Sequence, residues 1–502
     1  MQRTYLIGVD LGTSATKAAL YRPDGKLVAE ASAEVGLAYP APGVVEQDQD
    51  EFYASAAATV SRIVSESGID PRAVAAIGFD SQMAGLGTID DDFRSATRFD
   101  SWLDMRCQPY IAAMARDHGD LVTRLTGCPP TCAHGAKMLW WQHERPDEYR
   151  RIAKFVVPAG YVAGRLAGIR GADAFMDHTF LHFSGCGDAE RGEWSDDLCG
   201  RLGIDRDRLA RVVEPWRIVG ETNEARAAEF GLPPGVPVVA GAGDTAASAL
   251  GAGIVRPGMV LDVAGTASVL AACTDSFIAD VENRTLLVMR SIVPGLWHPL
   301  AYVGGGGLAL GWFRDNFAEN VPGEQGFGAL AEEAAAIAPG AGGLFFSPHL
   351  GGRICPADPE RRGSWHGFSW GHGRAHFFRS ILESIGFEYA SYLAILESLV
   401  PGLDRVEARV VGGGARSPVW NQIKADILAL PYRPLARADI ATWGVALVAG
   451  HAVGLVPNLA DAAARASEPV TAAVAPRPEA SAAYRPIIQR YVQWQQSLDR
   501  SR

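Results

Sequence analysis

Three short segments combine carboxylates, hydroxyls and glycines in ways that suit phosphate chemistry. Asp10-Leu-Gly12-Thr13-Ser14 sets a carboxylate, a side-chain-free position and two hydroxyls on one turn, with Lys17 a short way on. Backbone N–H groups in such a turn hold phosphate oxygens. The carboxylate suits Mg²⁺, held mostly through water. The same residues also make an ordinary β-turn. Gly241-Ala-Gly243-Asp244-Thr245 opens a run of small residues. Asp244 there can accept a proton from a hydroxyl attacking a phosphate, or simply cap a helix. In Gly412-Gly413-Gly414-Ala-Arg-Ser417, the glycines let backbone approach a ring or ribose, or supply a turn with positive φ. Neither GxGxxG nor GxxxxGK[ST] occurs, so neither a Rossmann unit nor a P-loop is supported.

Three other patterns point elsewhere. Gly367-Phe-Ser369-Trp-Gly371 matches the GxSxG nucleophile elbow, with Asp439 and His451 following in order, but no strand–helix run leads into Ser369. His178, His182 and Cys186 recur every four residues beside Asp177. That spacing mimics a metal-binding helix face, but Gly185 and Gly187 break the helix it needs. Cys128-Pro-Pro-Thr-Cys132 reads as a loop.

The elements that must carry the three segments follow from periodicity. Residues 5–10 and 16–21 read as strands around tight turns, with Pro23-Asp24-Gly25 closing the next one. Phe52, Ala56, Val60 and Ile63 fall at helical spacing behind an acidic first turn from Asp48. Strands at 74–79, 237–241, 260–263 and 406–411 alternate with helices at 376–399 and, behind Ser417 as N-cap and Pro418, up to 428. Such alternation predicts an α/β fold. Gly265-Thr266-Ala267 repeats Gly12-Thr13-Ser14 half a chain later, each behind an apolar strand. Two similar halves would then face one ligand across a cleft.

Composition bounds the class. The chain has 502 residues, 48% apolar and 21% charged, which suits two to four packed domains. Its 46 Lys and Arg against 57 Asp and Glu give a net charge of −11, a poor counterion for a nucleic-acid backbone. Seven scattered cysteines with no CxxC pair suggest no disulfide framework and fit a reducing compartment. No signal segment or membrane-length apolar run is visible, so the expectation is a cytoplasmic protein that binds neither membrane nor nucleic acid.

Read together and in order, the segments resemble the FGGY carbohydrate kinase family, in xylulokinase-like style. Gly8-Val-Asp10-Leu-Gly12-Thr13-Ser14-Ala-Thr-Lys17 resembles its first phosphate segment and Gly265-Thr266 the second. Glu46-Gln47-Asp48 is similar to an element before the first long helix. Ser81-Gln82-Met83-Ala84-Gly85 and Trp102-Leu-Asp104-Met-Arg106 resemble sugar-site segments. Gly243-Asp244 resembles the catalytic-base segment. Gly363-Ser-Trp-His-Gly367-Phe368 with His376-Phe-Phe-Arg-Ser380-Ile-Leu-Glu383 resembles the C-terminal signature, which absorbs the GxSxG match. Gly412 to Ser417, with Trp420, Gln422 and Asp426, resembles the adenosine segment.

The resemblance implies two actin-like, ribonuclease-H-like α/β domains flanking a catalytic cleft, 1–245 for the sugar and 246–502 for the nucleotide. It implies ATP and Mg²⁺, with Asp244 as general base and Asp10 near the metal. Gly12, Thr13, Ser14, Lys17, Gly265, Thr266, Gly307, Gly413, Gly414 and Ser417 would hold ATP. Gln82, Met83, Asp104, Arg106, His134 and Asp173 would hold the substrate. The implied reaction moves the γ-phosphoryl group of ATP to a hydroxyl of a ketose such as xylulose, as in pentulose 5-kinases. The alternatives are a polyol kinase of the glycerol or erythritol kind, or a non-catalytic actin-like ATP-binding protein. The implied partners are a small sugar or polyol and, as an assembly, a homodimer. Departures fall on the sugar side: Ala84 stands where xylulokinases carry His, His134 where the family has a small hydroxyl residue, Ala172 to Asp177 depart from the usual Ser and Ala, and Gly352 replaces a frequent Glu. His134 is either a replacement sugar contact or an exposed loop histidine.

Overall fold

The computed structural model describes residues 3–131, 133–318, 323–437, 440–466 and 472–500; Cys132 and Asp439 lie outside them. The chain opens on a meander of three antiparallel strands, β1 (Tyr5–Leu11), β2 (Ala15–Tyr21) and β3 (Leu27–Glu34). Helix α1 (Gln49–Ser67) follows. The Asp48 side chain accepts the Asp50 N–H at its start, and Gly68 ends it at φ 68°, where a side chain would be strained. The helix returns the chain so that β4 (Val74–Ser81), buried at every residue, lies parallel to β1. A parallel neighbour needs such a crossover.

After helix α2 (His134–Glu144), β5 (Ile218–Glu221) and β6 (Pro237–Gly243) complete a sheet of order β5-β6-β4-β1-β2-β3. Helix α3 (Asp244–Gly251) leads to β7 (Met259–Ala264), β8 (Ser268–Ala272), β9 (Leu287–Arg290) and β10 (Trp297–Val303). Helices α4 (Gly306–Phe317) and α5 (Arg374–Leu399) then cross over to β11 (Glu407–Val411), and α6 (Pro418–Leu428) to β12 (Tyr432–Pro434). The second sheet has the order β9-β10-β8-β7-β11-β12.

Five strands of each sheet share one plan. In β3-β2-β1-β4-β6 and in β10-β8-β7-β11-β12, three antiparallel strands continue into two parallel ones. Each Gly-Thr turn joins the first and second strand of its own copy. The duplication expected from the repeated turn therefore extends through both sheets.

The division at 245/246 falls inside α3. Helix α7 (Ile440–Ala452) returns from the far end of the sequence and packs on β1, β4, β6 and α3. Backbone touches backbone there. A Cβ on Gly8 would sit 1.9 Å from the Thr442 carbonyl oxygen, and one on Gly444 1.9 Å from that of Ala247. Among the described residues no helix is long and apolar enough to cross a membrane.

Candidate active site

The first Gly-Thr turn is held from several sides. Gly12 N–H donates to the Ala15 carbonyl at 3.1 Å, and a Cβ on Gly12 would lie 2.9 Å from that oxygen. Thr13 Oγ1 accepts from the Trp102 indole at 3.0 Å and donates to Gln82 Oε1 at 3.3 Å. Gln47 donates to the Thr13 carbonyl at 2.9 Å and accepts from Gln82, also at 2.9 Å. Gln82, expected on the sugar, is thus engaged in fixing the Gly12–Thr13 turn. Ser14 is exposed, and the half-exposed Lys17 ammonium stands 3.9 Å from Asp10.

Three carboxylates gather at the ends of adjacent strands. Asp10, the penultimate residue of β1, pairs with Asp80 on β4, and Ala242 of β6 pairs with Asp80 from the other side. Asp244 follows as the first residue of α3. Sequence reasoning missed Asp80, because it lies inside the apolar run that defines its strand. Burial, then Asp10 and Asp244, hold the Asp80 carboxyl well above the usual range. Burial, reinforced by Asp10, pushes Asp244 up to about 7. Asp244 is partly accessible and is not the helix cap. Its carboxylate accepts the N–H (2.5 Å) and hydroxyl (3.1 Å) of Thr245, while Gly243 occupies the cap position. Among the described residues neither Asp80 oxygen has a hydrogen-bond donor, and the Lys17 ammonium lies beside this group. Among the described residues no group of three or more carboxylates, histidines or cysteines is arranged to hold a metal ion, so this site suits a hard divalent cation only where one carboxylate is supplemented by phosphate and water.

Met83 packs against Gly243, with its Cε 2.5 Å from where a Cβ on that glycine would stand. The Gly243 N–H donates to Thr179 Oγ1 at 2.8 Å, and that hydroxyl donates to Asp177 at 2.6 Å. Asp177 is buried and pushed up to about 7 by that burial. The buried acid of this segment is therefore Asp177, set aside in the sequence as part of a metal-like pattern. Asp173 is exposed on the short turn Gly171–Asp173, which is tied to the Asp91 carbonyl, and the structure does not bring it to the group.

In the second half, α4 begins against the Gly265–Thr266 turn. Gly307 N–H donates to Gly265 O and Leu308 N–H to Thr266 O, both at 3.0 Å. A Cβ on Gly307 would lie 2.4 Å from the Gly265 oxygen, so only glycine allows this approach. Gly412 has φ 87°. Gly414 is required by packing, since its Cβ would sit 2.5 Å from the Trp420 ring, whereas Gly413 faces open space. Ser417 caps α6, accepting the Trp420 N–H at 3.2 Å.

The expected sugar residues divide. Arg106 is spent on three carboxylates, Glu46 (2.8 Å), Asp100 (2.7 Å) and Asp104 (2.9 Å), and Asp104 also accepts the Val45 N–H. These two residues stabilise each other instead of presenting free groups. Lys137 is likewise bound to the Ser101 and Asp104 carbonyls. His134 is not an exposed loop residue. It is fully buried in the first turn of α2, neither ring nitrogen has a partner, and burial lowers it to about 3, so it is neutral. His182 lies close enough to influence it and is neutral for the same reason. Ala84 is buried with φ 60°, a strained value for a residue with a Cβ.

The remaining patterns are accounted for by local structure. The Ser369 N–H donates to His372 Nδ1 at 2.8 Å, which occupies the lone pair a base would need. His451 Nδ1 bonds the Val456 carbonyl. His182 Nδ1 bonds the Thr179 carbonyl within the short helix His178–Phe183, and Cys186 lies against Cys199.

Two ribonuclease-H-like sheets in one chain, each with a Gly-Thr turn between its first two strands and a carboxylate at the strand-to-helix junction that links them, define an actin-like fold. Comparison with known proteins agrees. Residues 5–251 match the N-terminal domain and residues 261–453 the C-terminal domain of the FGGY family of carbohydrate kinases. The chain is 30% identical to a xylulose kinase of Bacillus subtilis over 91% of its own length and 90% of the relative's. It is 27% identical to a gluconokinase of the same organism over 84% and 83%. The crystal structure of a xylulose kinase from Rhodospirillum rubrum superposes with a TM-score of 0.90 at 28% identity, covering 99% of each chain. The chain belongs to the FGGY family of carbohydrate kinases. It is an ATP-dependent sugar kinase.

Proposed function

We propose that this kinase phosphorylates a neutral ketose of the xylulose kind, with Asp244 as the general base. The observation that carries the reading is Asp244 itself, a partly accessible carboxylate raised to about 7 at the start of α3, beside Asp10. Held there, it accepts the proton of a sugar hydroxyl as that oxygen attacks the γ-phosphorus of ATP. The proton moves to the Asp244 oxygen, and ADP leaves with the electron pair of the broken P–O bond. The Gly12–Thr13 and Gly265–Thr266 turns supply backbone N–H groups to the phosphates, and the glycines let the backbone approach closely. Asp10 would hold Mg²⁺, which when bound neutralises phosphate charge. Closure around the substrate excludes water that would otherwise take the phosphoryl group.

A neutral substrate is favoured over a sugar acid because Arg106 and Lys137 already spend their charge inside the protein, and His134 and His182 are uncharged. Such a pocket has hydroxyl-reading groups but no uncommitted cation among them for a carboxylate. An ADP-release assay over D-xylulose, other pentuloses, hexuloses, glycerol, erythritol and gluconate tests the substrate. Best turnover on gluconate would overturn the neutral-sugar reading. Asp244→Asn should keep ATP binding while lowering kcat by about 10²–10⁴-fold, and near-normal kcat would remove Asp244 as the base.

A further inference from the structure

The strand that delivers Asp244 runs on past its antiparallel partner. β5 pairs with β6 along Pro237 to Val239. The next N–H groups, of Ala240 and Gly241, donate at 2.9 Å to the Arg217 and Pro215 carbonyls ahead of β5. Gly241 takes φ 81°, a Cβ there would lie 1.7 Å from the Phe79 carbonyl oxygen, and the register with β4 shifts between Val239 and Ala242. A bulge of this kind ends pairing and re-aims the residues that follow. Two residues on, the Gly243 N–H goes to a side chain, the Thr179 hydroxyl at 2.8 Å.

Thr179 is itself held at each polar group. Its N–H (2.8 Å) and its hydroxyl (2.6 Å) both donate to Asp177 Oδ1, and its carbonyl accepts from His182 Nδ1 at 2.9 Å. The hydroxyl has one proton, which Asp177 takes, so its oxygen faces Gly243 as an acceptor. Both residues are buried, Asp177 at 2% and Thr179 at 0% exposure, where such bonds are stronger than in water. Helix capping explains the Thr179 N–H on Asp177. It does not explain the hydroxyl's second bond, to a residue sixty-four positions away.

We infer that Thr179, oriented by Asp177, is a positioning residue for phosphoryl transfer, fixing through the Gly243 N–H where Asp244 stands. The inference rests on Asp244 being the base. Other groups nearby cannot do this work. The bonds Asp244 accepts from Thr245 travel with α3 and do not place it. Gly243 caps that helix with no side chain of its own, and a Cβ there would stand 2.5 Å from Met83 Cε. Placement matters because a base must lie within hydrogen-bond reach of the proton it takes, and an error of about 1 Å can cost about 10²-fold in rate.

Thr179→Val keeps the shape and removes the hydroxyl. In the ADP-release assay, with the sugar turned over fastest, kcat should fall by about 10²-fold while KM for ATP and for the sugar stays within about twofold. Thr179→Ser restores the hydroxyl and should recover kcat to within about threefold of wild type. Asp177→Ala should show the same split to a smaller degree. Circular dichroism and melting confirm folding, and Thr179→Ala replaces Thr179→Val should the latter misfold. Added to Asp244→Asn, Thr179→Val should cost nothing further, because the two act as one unit. A folded Thr179→Val with wild-type kcat, a Thr179→Ser as slow as Thr179→Val, or a full further loss in the Asp244→Asn background would each overturn the inference. Near-normal turnover of Asp244→Asn would remove the base and this inference together, whereas an inactive Asp244→Asn beside a fully active Thr179→Val removes the inference alone.

Discussion

As the proposed base, Asp244 ties the chemistry to pH. As a base it works only when ionised, and its carboxyl is raised to about 7 by burial and by Asp10. The rate kcat/KM should therefore fall about tenfold per pH unit below that value and level off above it. A pH profile flat down to pH 5 would contradict the role. The neighbouring sugar side turns on Ala84 and His134. Ala84 sits at φ 60°, a region His tolerates better than most residues with a Cβ. Ala84→His should accordingly fold, and by adding a hydrogen-bonding group it should raise kcat/KM for D-xylulose. His134→Ala should lower turnover on the native substrate, because both its buried ring nitrogens await partners that a polar ligand or water must supply. Loss of stability without any change in KM would make His134 structural only.

Among the elements, α4 bears on the proposed nucleotide contact of the second half, since its first turn is clamped on the Gly265–Thr266 loop. Gly307→Val places a side chain where 2.4 Å separates Cβ from the Gly265 oxygen. The turn must shift, and the KM for ATP should rise about tenfold or more while the sugar KM holds. Equal rises in both would show that the clamp serves the whole cleft. The two Gly-Thr turns were legible in the sequence because a glycine directly behind an apolar strand is a local signal. The acidic start of α1 and the Ser417-Pro418 start of α6 were legible because cap and first-turn residues are likewise local signals. Asp80 and Asp177 were not. Asp80 is hidden in a strand buried on both faces, where one polar residue does not break the pattern. Asp177 owes its place to Thr179, whose hydroxyl accepts the N–H of Gly243 sixty-four residues away in sequence, and no local spacing encodes that. Gly414 looked like a ligand-facing glycine, yet its reason is the Trp420 ring.

At the scale of the molecule, the duplicated sheet was foreshadowed by the repeated turn, whereas the return of α7 was not, because close packing between remote segments leaves only scattered glycines as its trace. Gly8, Gly251 and Gly444 are small because backbone crosses backbone at each of them. A fragment of residues 1–253 would keep the first sheet but lose the helix that covers it. It should bind ANS and lack near-UV circular dichroism, and a well-dispersed, cooperatively melting fragment would show the first half to be self-sufficient. The same packing sets a timetable for synthesis. Ile440 leaves the ribosome roughly 190 residues after Gly251, about 10–40 s later at ~5–20 residues per second. Throughout that interval one face of the first sheet stays uncovered, so the nascent chain depends on chaperones, or on slow translation of the second half, more than a protein whose halves close in turn.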